Sequence, residues 1–173
     1  MPPADEVEIS VRQLRAGDAV AYRAFRLEAL RRTPSAFTSS YGEELAMPLS
    51  AWVARLSSDI VLGAFDAAGV LVGTAGLFVP ARQQERHKGT LFGMAVAGCL
   101  GGRGIGRQLV QGVLAEARLR DLLQIGLTVS AGNYAAEHLY RSCGFQVWGS
   151  EPRAVIVDGI AITKIHMMRA LDD

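Results

Sequence analysis

Two clusters of residues in this chain have the types and spacing to do chemistry. The first is Gly98-Cys-Leu-Gly-Gly-Arg-Gly-Ile-Gly106, five glycines in nine residues, with Arg107 directly after it. An apolar run from Thr90 to Val96 leads in, and Ile105, Leu109, Val110, Val113, Leu114 and Ala117 lead out at helical spacing. A strand, a glycine turn and a helix start aim several backbone N–H groups at one spot, and the helix dipole adds positive potential there. Such a spot suits an anion, most often a phosphate. Glycine lets the backbone come close to a ligand, and Arg103 and Arg107 can add charge-assisted contacts. The pattern is not the dinucleotide G-x-G-x-x-G, because Gln108 and Leu109 stand where glycine would be required, and no Gly-Lys-Ser/Thr makes it a Walker loop. The second cluster runs from Asn133 to Phe145. Asn133 and Tyr140 are seven residues apart, so a helix would put them on one face, two turns apart. Asn133 also reads as an N-cap and Tyr140 as a packing residue, roles that coexist with chemistry.

Positioning these clusters requires a folded core, and the composition supplies one. The 173 residues are 50% hydrophobic and 20% charged, which fits one soluble domain spanning 1–173, with 1–6 as a loose polar tail. A formal net charge of +1 gives no electrostatic case for nucleic acid or an anionic membrane. No stretch reaches the ~20 apolar residues of a membrane span, and the first residues do not read as a signal peptide. Cys99 and Cys143 are the only cysteines, which points to a reducing compartment, the cytoplasm by default. His138 and His166 lack ligand spacing, so no metal site is expected.

Periodicity gives the order of elements. Val7 to Leu14 alternates as a short strand. A helix follows from Gly17-Asp18, with Asp18 as N-cap, Val20, Ala21, Phe25, Ala29 and Leu30 inward, and Arg23, Arg26, Glu28 and Arg31 outward. Ser35 to Leu49 reads as largely irregular, and Ser50 as the N-cap of a short helix with Trp52, Val53 and Leu56. Ile60 to Asp66 and Val70 to Val79 form a hairpin, and Gly89 to Val96 is a strand before the glycine turn. Leu122 to Val129 reads as a central strand buried on both faces, and Asn133 to Ser142 as a helix ended by Gly144. Phe145 to Trp148, Ala154 to Val157 and Ile160 to Met168 are strands, the last two joined at Asp158-Gly159. This is an α/β fold, a mixed sheet with helices on its faces.

Taken together, the clusters resemble the GNAT superfamily of acyl-CoA-dependent N-acyltransferases. The resemblance rests on Met94-Ala-Val96, Arg103-Gly-Ile-Gly-Arg107 and Asn133 through Phe145, in that order, and on element order along nearly the whole chain. Arg26-Leu-Glu-Ala-Leu30, Pro34-Ser-Ala-Phe37 and Trp52 near Arg55-Leu56 match an N-terminal pattern in one branch of it. The resemblance implies an acetyl-CoA cleft where two parallel strands splay apart. It implies that backbone groups of the Met94-Ala95-Val96 strand pair with the pantetheine, and that amides from Gly102, Arg103, Gly104, Ile105, Gly106 and Arg107 hold the pyrophosphate. Asn133 would contact the pantetheine, and Tyr140 would lie near the thioester sulfur as the acid for the leaving thiolate. Gly101 stands where that superfamily usually has Gln or Arg, so a side-chain contact is missing while the backbone donors remain. The implied reaction is acetyl transfer to a primary amine, of a small molecule or of a peptide or protein, by direct attack in a ternary complex. The alternative is a non-catalytic acyl-CoA sensor.

The base is the weak point of this expectation. The strand Gly89 to Val96 carries no acid, which leaves Glu43, Glu44, Glu85 and His87 as candidates. Ser35 to Met47 is expected to line the acceptor pocket, with Glu43 or Glu44 binding a cationic amine. A backbone N–H near Val96 would stabilise the oxyanion. Cys143 has no paired base and reads as a core thiol. Dimers are common in the superfamily, and the hairpin Ala154 to Met168 is apolar enough to meet a second copy.

Overall fold

Alternation along the strands gives a sheet with two different faces, each covered by its own helices. The computed structural model describes residues 7–172, so the expected tail at 1–6 lies outside the described residues. Seven strands form one sheet: β1 (Ser10–Gln13), β2 (Ile60–Phe65), β3 (Leu71–Phe78), β4 (Lys88–Val96), β5 (Gln124–Ser130), β6 (Gln146–Val157) and β7 (Ile160–Ala170). They lie in the order β1-β2-β3-β4-β5-β7-β6, and β4–β5 is the parallel pair among antiparallel neighbours. The helices are α1 (Ala19–Arg32), α2 (Tyr41–Leu45), α3 (Leu49–Ser58), α4 (Ile105–Leu119) and α5 (Tyr134–Ser142).

On the first face, α4 buries the six residues its periodicity singles out, Ile105 through Ala117, against Leu62, Val72, Leu91, Ile125 and Leu127. Each Ile, Leu or Val side chain so buried contributes about 1.5–3 kcal/mol. On the second face, α1 and α3 pack on β2 and β3 around Leu14, Tyr22, Leu27, Trp52 and Val61, with Tyr22 and Trp52 edge to face at 5.5 Å.

Several expectations are corrected here. In α1 the buried face is Ala19, Tyr22, Arg26, Leu27 and Leu30, while Val20 stays 66% exposed. Arg26, expected outside, turns in because Glu44 waits for it in the core. Asp18 precedes α1 but does not cap it with its side chain; its carboxylate accepts from Arg12 at 2.8 Å and from the Arg15 N–H at 2.8 Å. Inside the segment read as irregular, Ser40 and Glu43 close a capping box on α2, and α3 starts after Pro48 instead of at Ser50. In β5, Ile125, Leu127 and Val129 are buried but Thr128 is exposed, so only one face of this strand is fully covered. The C-terminal strands are longer than expected, because β6 continues through two register shifts, between Val147 and Gly149 and between Glu151 and Val155.

Candidate active site

β4 and β5 begin as neighbours and then part. Their pairing covers only Lys88 to Thr90 against Gln124 to Gly126, although β4 runs on to Val96 and β5 to Ser130. A bulge in β4 marks the divergence: Thr74 faces Ala95 and Gly76 faces Phe92, leaving one residue too many between them. Gly93 takes φ +62 there, a left-handed value that a side chain would strain, and its carbonyl accepts from the Thr74 hydroxyl at 3.0 Å. Beyond the bulge the Ala97 N–H bonds to Val72 in β3. By strand alternation the N–H and C=O groups of Met94 and Val96 then point the other way, into the gap that β5 has left.

A pocket of about 100 Å³ fills this gap and passes through the sheet. Leu91, Val129, Ala136 and Tyr140 line it from the first face, and Phe37, Phe92, Thr128 and Ser130 from the second. Tyr140 is 5% exposed and stands edge-on to Phe145 at 6.0 Å. Burial, and secondarily the nearby Cys143, pushes its phenol well above the ordinary value. A protonated Tyr140 is therefore available as an acid across the neutral range. Asn133 caps α5, its side chain accepting from the Ala136 N–H at 3.3 Å, and it lines this pocket and both of the larger ones beside it.

The glycine turn lies next to that junction. Gly102 and Gly104 take φ +77 and +78, and a Cβ at either would meet nothing within 4 Å. Glycine is required there by backbone conformation and not by packing. Gly104 precedes α4, whose first internal bond runs from the Gln108 N–H to the Gly104 carbonyl, so the N–H groups of Ile105, Gly106 and Arg107 have no partner within the helix. They open on a pocket of about 660 Å³ lined by Gly101, Gly102, Gly104, Ala135, His138 and Ser142 among others. Arg107 crosses to α5 and donates to the Ser142 hydroxyl at 2.8 Å, while Arg103 is exposed. The third pocket, about 560 Å³, lies between α1 and the Met94–Ala97 strand, with Phe25, Ala29 and Arg32 on its wall.

The candidate bases do not reach the gap. Glu44 is 3% exposed and bonds Arg26 through two contacts of 3.2 Å, with Arg55 at 3.5 Å. Two guanidiniums already neutralise it, so it cannot serve as the free partner of a cationic amine. Glu43 is spent on Ser40 in the capping box, and Glu85 lies 3.6 Å from Lys88. None of these, nor His87, lines the gap. What sequence reasoning missed is the Arg26–Glu44–Arg55 cluster itself. Arg26 stacks over Phe37 at 4.9 Å and Arg55 over Trp52 at 4.8 Å, and Arg26 Nη1 would meet a Cβ at Gly93 at 3.1 Å. The N-terminal pattern around Arg26, Phe37, Trp52 and Arg55 is thus a single buried assembly that packs behind the bulge. The S-x-x-E box at Ser40 was the signal that could have located α2 and, with it, Glu44.

The model of the acetyltransferase (GNAT) family matches residues 24–145. Two curated relatives, L-methionine sulfoximine/L-methionine sulfone acetyltransferases of Pseudomonas aeruginosa and Pseudomonas paraeruginosa, are each 33% identical over 94 residues. That match covers 54% of this chain and 54% of each relative, so the chain spans about half the length of the curated relatives it matches. A GNAT-family acetyltransferase of Streptococcus pneumoniae superimposes with a TM-score of 0.82 at 25% identity, over 95% of this chain and 100% of that one. The Salmonella typhimurium protein yncA, solved with its cofactor acetyl-CoA, superimposes with a TM-score of 0.80 at 22% identity, over 96% of this chain and 95% of that one. With the splayed strands, the glycine turn and the family match in agreement, the chain belongs to the GNAT acetyltransferase family.

Proposed function

We propose that this protein is an N-acetyltransferase that moves an acetyl group from acetyl-CoA to a primary amine by direct attack in a ternary complex. The observation that carries the reading is the gap between β4 and β5, with Tyr140 in its wall and Asn133 at its mouth. The residues present suit the donor. The outward backbone of Met94 and Val96, with Ala95 between them, pairs with the pantetheine as an added strand would. The N–H groups from Gly102 to Arg107 receive the pyrophosphate at the start of α4. Gly101 adds no side chain to that contact. Asn133 holds the arm at the junction of the pockets, and the thioester end lies against Tyr140.

The attacking amine must be neutral. A lysine-type amine with pKa ~10.4 is about one part in 2500 neutral at pH 7, and an α-amine near 8 roughly a tenth. The neutral amine attacks the thioester carbonyl, and the oxyanion is stabilised by a backbone N–H of the outward-facing stretch around Val96. The C–S bond then breaks, and Tyr140 gives its proton to the departing thiolate. Thiol release from acetyl-CoA with a panel of amines tests the reading. Release with at least one amine, matched by acetylated product, is the expected result. Tight acetyl-CoA binding without release for any amine would replace it with a sensor.

A further inference from the structure

The acetyltransferase reading needs a base beside the gap, and the open face of β5 and β7 carries an imidazole that was not among the four candidates. We infer that His166, oriented by Glu151, takes the proton from the acceptor ammonium in a groove over that face. The inference rests on the acetyltransferase reading and names the site of its acceptor.

His166 lies directly across from Thr128 in the β5–β7 register. Thr128 lines both the gap and a groove of about 530 Å³ that also has His166, Trp148, Met168, Gly126 and Lys88 on its walls. The imidazole is therefore one strand away from the mouth of the gap, on the face opposite Tyr140. The packing of α1 and α3 reaches no further than Phe92 of β4, and Thr128 of β5 is exposed, so this stretch stays open to an incoming amine.

The orientation of the ring is built. Its Nε2 lies 2.8 Å from Glu151 Oε2, and the tautomer that donates from Nε2 leaves Nδ1 as the basic nitrogen. Glu151 is registered opposite Lys164, yet its carboxylate goes to His166. Lys164 instead buries its ammonium under the Pro34–Ala36 turn, donating to Ser130 Oγ at 2.9 Å and to the Ala36 carbonyl at 3.5 Å. The register shift between Val147 and Gly149 makes Trp148 the extra residue of β6 and turns its indole onto His166, with centroids 5.1 Å apart. Trp148 stays 67% exposed, which gives the acceptor's carbon skeleton an apolar wall. Gly126 leaves the floor clear, since a Cβ there would have only the Met167 carbonyl near it, at 3.8 Å. Of the charged groups on the elements around the imidazole, Glu151 of β6 contacts it, Lys88 of β4 shares its groove, Lys164 of its own strand turns its ammonium to Ser130, and β5 carries none.

The protons balance. An N–H bond of the ammonium breaks, its electron pair stays on nitrogen, and the proton moves to His166 and on to water. After attack on the carbonyl, the amine's second proton is released, restoring the proton that Tyr140 has given to the thiolate.

Replacement of His166 by Gln tests this. Expected is a fall in kcat/KM of ~10²–10⁴-fold at pH 7, with acetyl-CoA affinity and melting temperature unchanged. The defect should shrink about tenfold per pH unit as the amine begins to deprotonate unaided. Glu151→Gln should give a smaller loss of the same pH form, because it acts through His166. Gly126→Ala, whose Cβ would meet nothing nearer than the Met167 carbonyl at 3.8 Å, should raise the acceptor KM and leave acetyl-CoA binding alone. Activity of His166→Gln within threefold of wild type from pH 6 to 9, while wild type turns over, would overturn this inference and spare the acetyltransferase reading. Failure of the wild type with every amine would remove both.

Discussion

Replacing Tyr140 with Phe deletes one oxygen and isolates the proton-donor role. The ring keeps its edge-on contact with Phe145 at 6.0 Å, so the hydrophobic part of the site survives. The shift of its phenol has burial and Cys143 as causes and no hydrogen bond among them, so losing the hydroxyl orphans no protein partner. Stability should change by less than about 1 kcal/mol, which is ~2–4 °C in melting temperature for a chain of this size. The kinetic cost is of another order. An unperturbed phenol near pKa 10 gives its proton to a thiolate near 8.5 at a cost of ~2 kcal/mol. Burial raises the phenol, but a thiolate leaving in the same dry gap is raised too, so the gap between them is preserved to first order. Removing a positioned acid costs ~10²–10⁴-fold, about 3–5 kcal/mol on the barrier. The assay is thiol release read with a chromogenic disulfide at saturating acetyl-CoA, with acetyl-CoA affinity measured by calorimetry. Cys99 is an exposed free thiol, so each chain contributes one reactive group of its own, and that blank is subtracted. A kcat at least tenfold down with acetyl-CoA affinity within twofold is expected; a kcat within threefold of wild type refutes the assignment. Because the phenol titrates above the assay range, no basic limb between pH 6 and 9 should disappear in the variant.

Two further predictions concern stability. Glu44→Gln removes the counter-charge of two guanidiniums while keeping the shape, and the side chains of Arg26 and Glu44 are only 9% and 4% exposed. A loss of about 3 kcal/mol, or roughly 6–12 °C, is expected by thermal melt, and a shift under 2 °C would show that the pair contributes little. Asp18 is held at about 2, below its ordinary 3.8, by the Arg12 hydrogen bond first and the Arg15 N–H after burial is set against them. Its contribution is therefore present above pH ~4 and is lost as pH falls toward 2. Arg12 is 52% exposed, so screening reduces the expected value to about 1 kcal/mol. Asp18→Asn should be less stable than wild type at pH 7 by that amount in urea titrations and equal to it below pH 2, whereas a gap that persists in acid contradicts the sign.

The parts of the molecule legible in the sequence are those where one residue's local preference and its tertiary role coincide. The six apolar positions of α4 are such a case, as are Gly102 and Gly104 with positive φ, and Asp158-Gly159 with φ of +49 and +78 at the last hairpin. Asn133 serves as cap and as junction residue from the same position. Legibility failed where a long-range partner set the outcome. The buried face of α1 is defined by Arg26, which only a carboxylate eighteen residues away makes tolerable. β6 reads as two pieces because Gly149, Pro152 and Arg153 interrupt its pattern, yet pairing with β7 carries it through both shifts. His166 and Glu151, fifteen residues apart, become neighbours through that same pairing. Period-2 patterning says nothing about which exposed residues share a face with a gap one or two strands away.

The bulge at Gly93 ties the two ends of the site together. Thr74 takes the carbonyl of Gly93, and Arg26 occupies the space a side chain there would need, so neighbouring elements hold the bent conformation in place. The bend takes β4 away from β5 and turns the groups of Met94 and Val96 outward. Ala97 returns the chain to β3 through Val72, and the turn Gly98–Leu100 then delivers it to Gly102, Gly104 and the free N–H groups of α4. On the proposed reading, one continuous stretch from Gly93 to Arg107 sets where a thioester would stand relative to where a pyrophosphate would be held. The Arg26–Glu44–Arg55 cluster touches neither end. It supports the bulge from behind, and this explains why a charged group sits on the inner face of α1, where an apolar residue would pack at less cost.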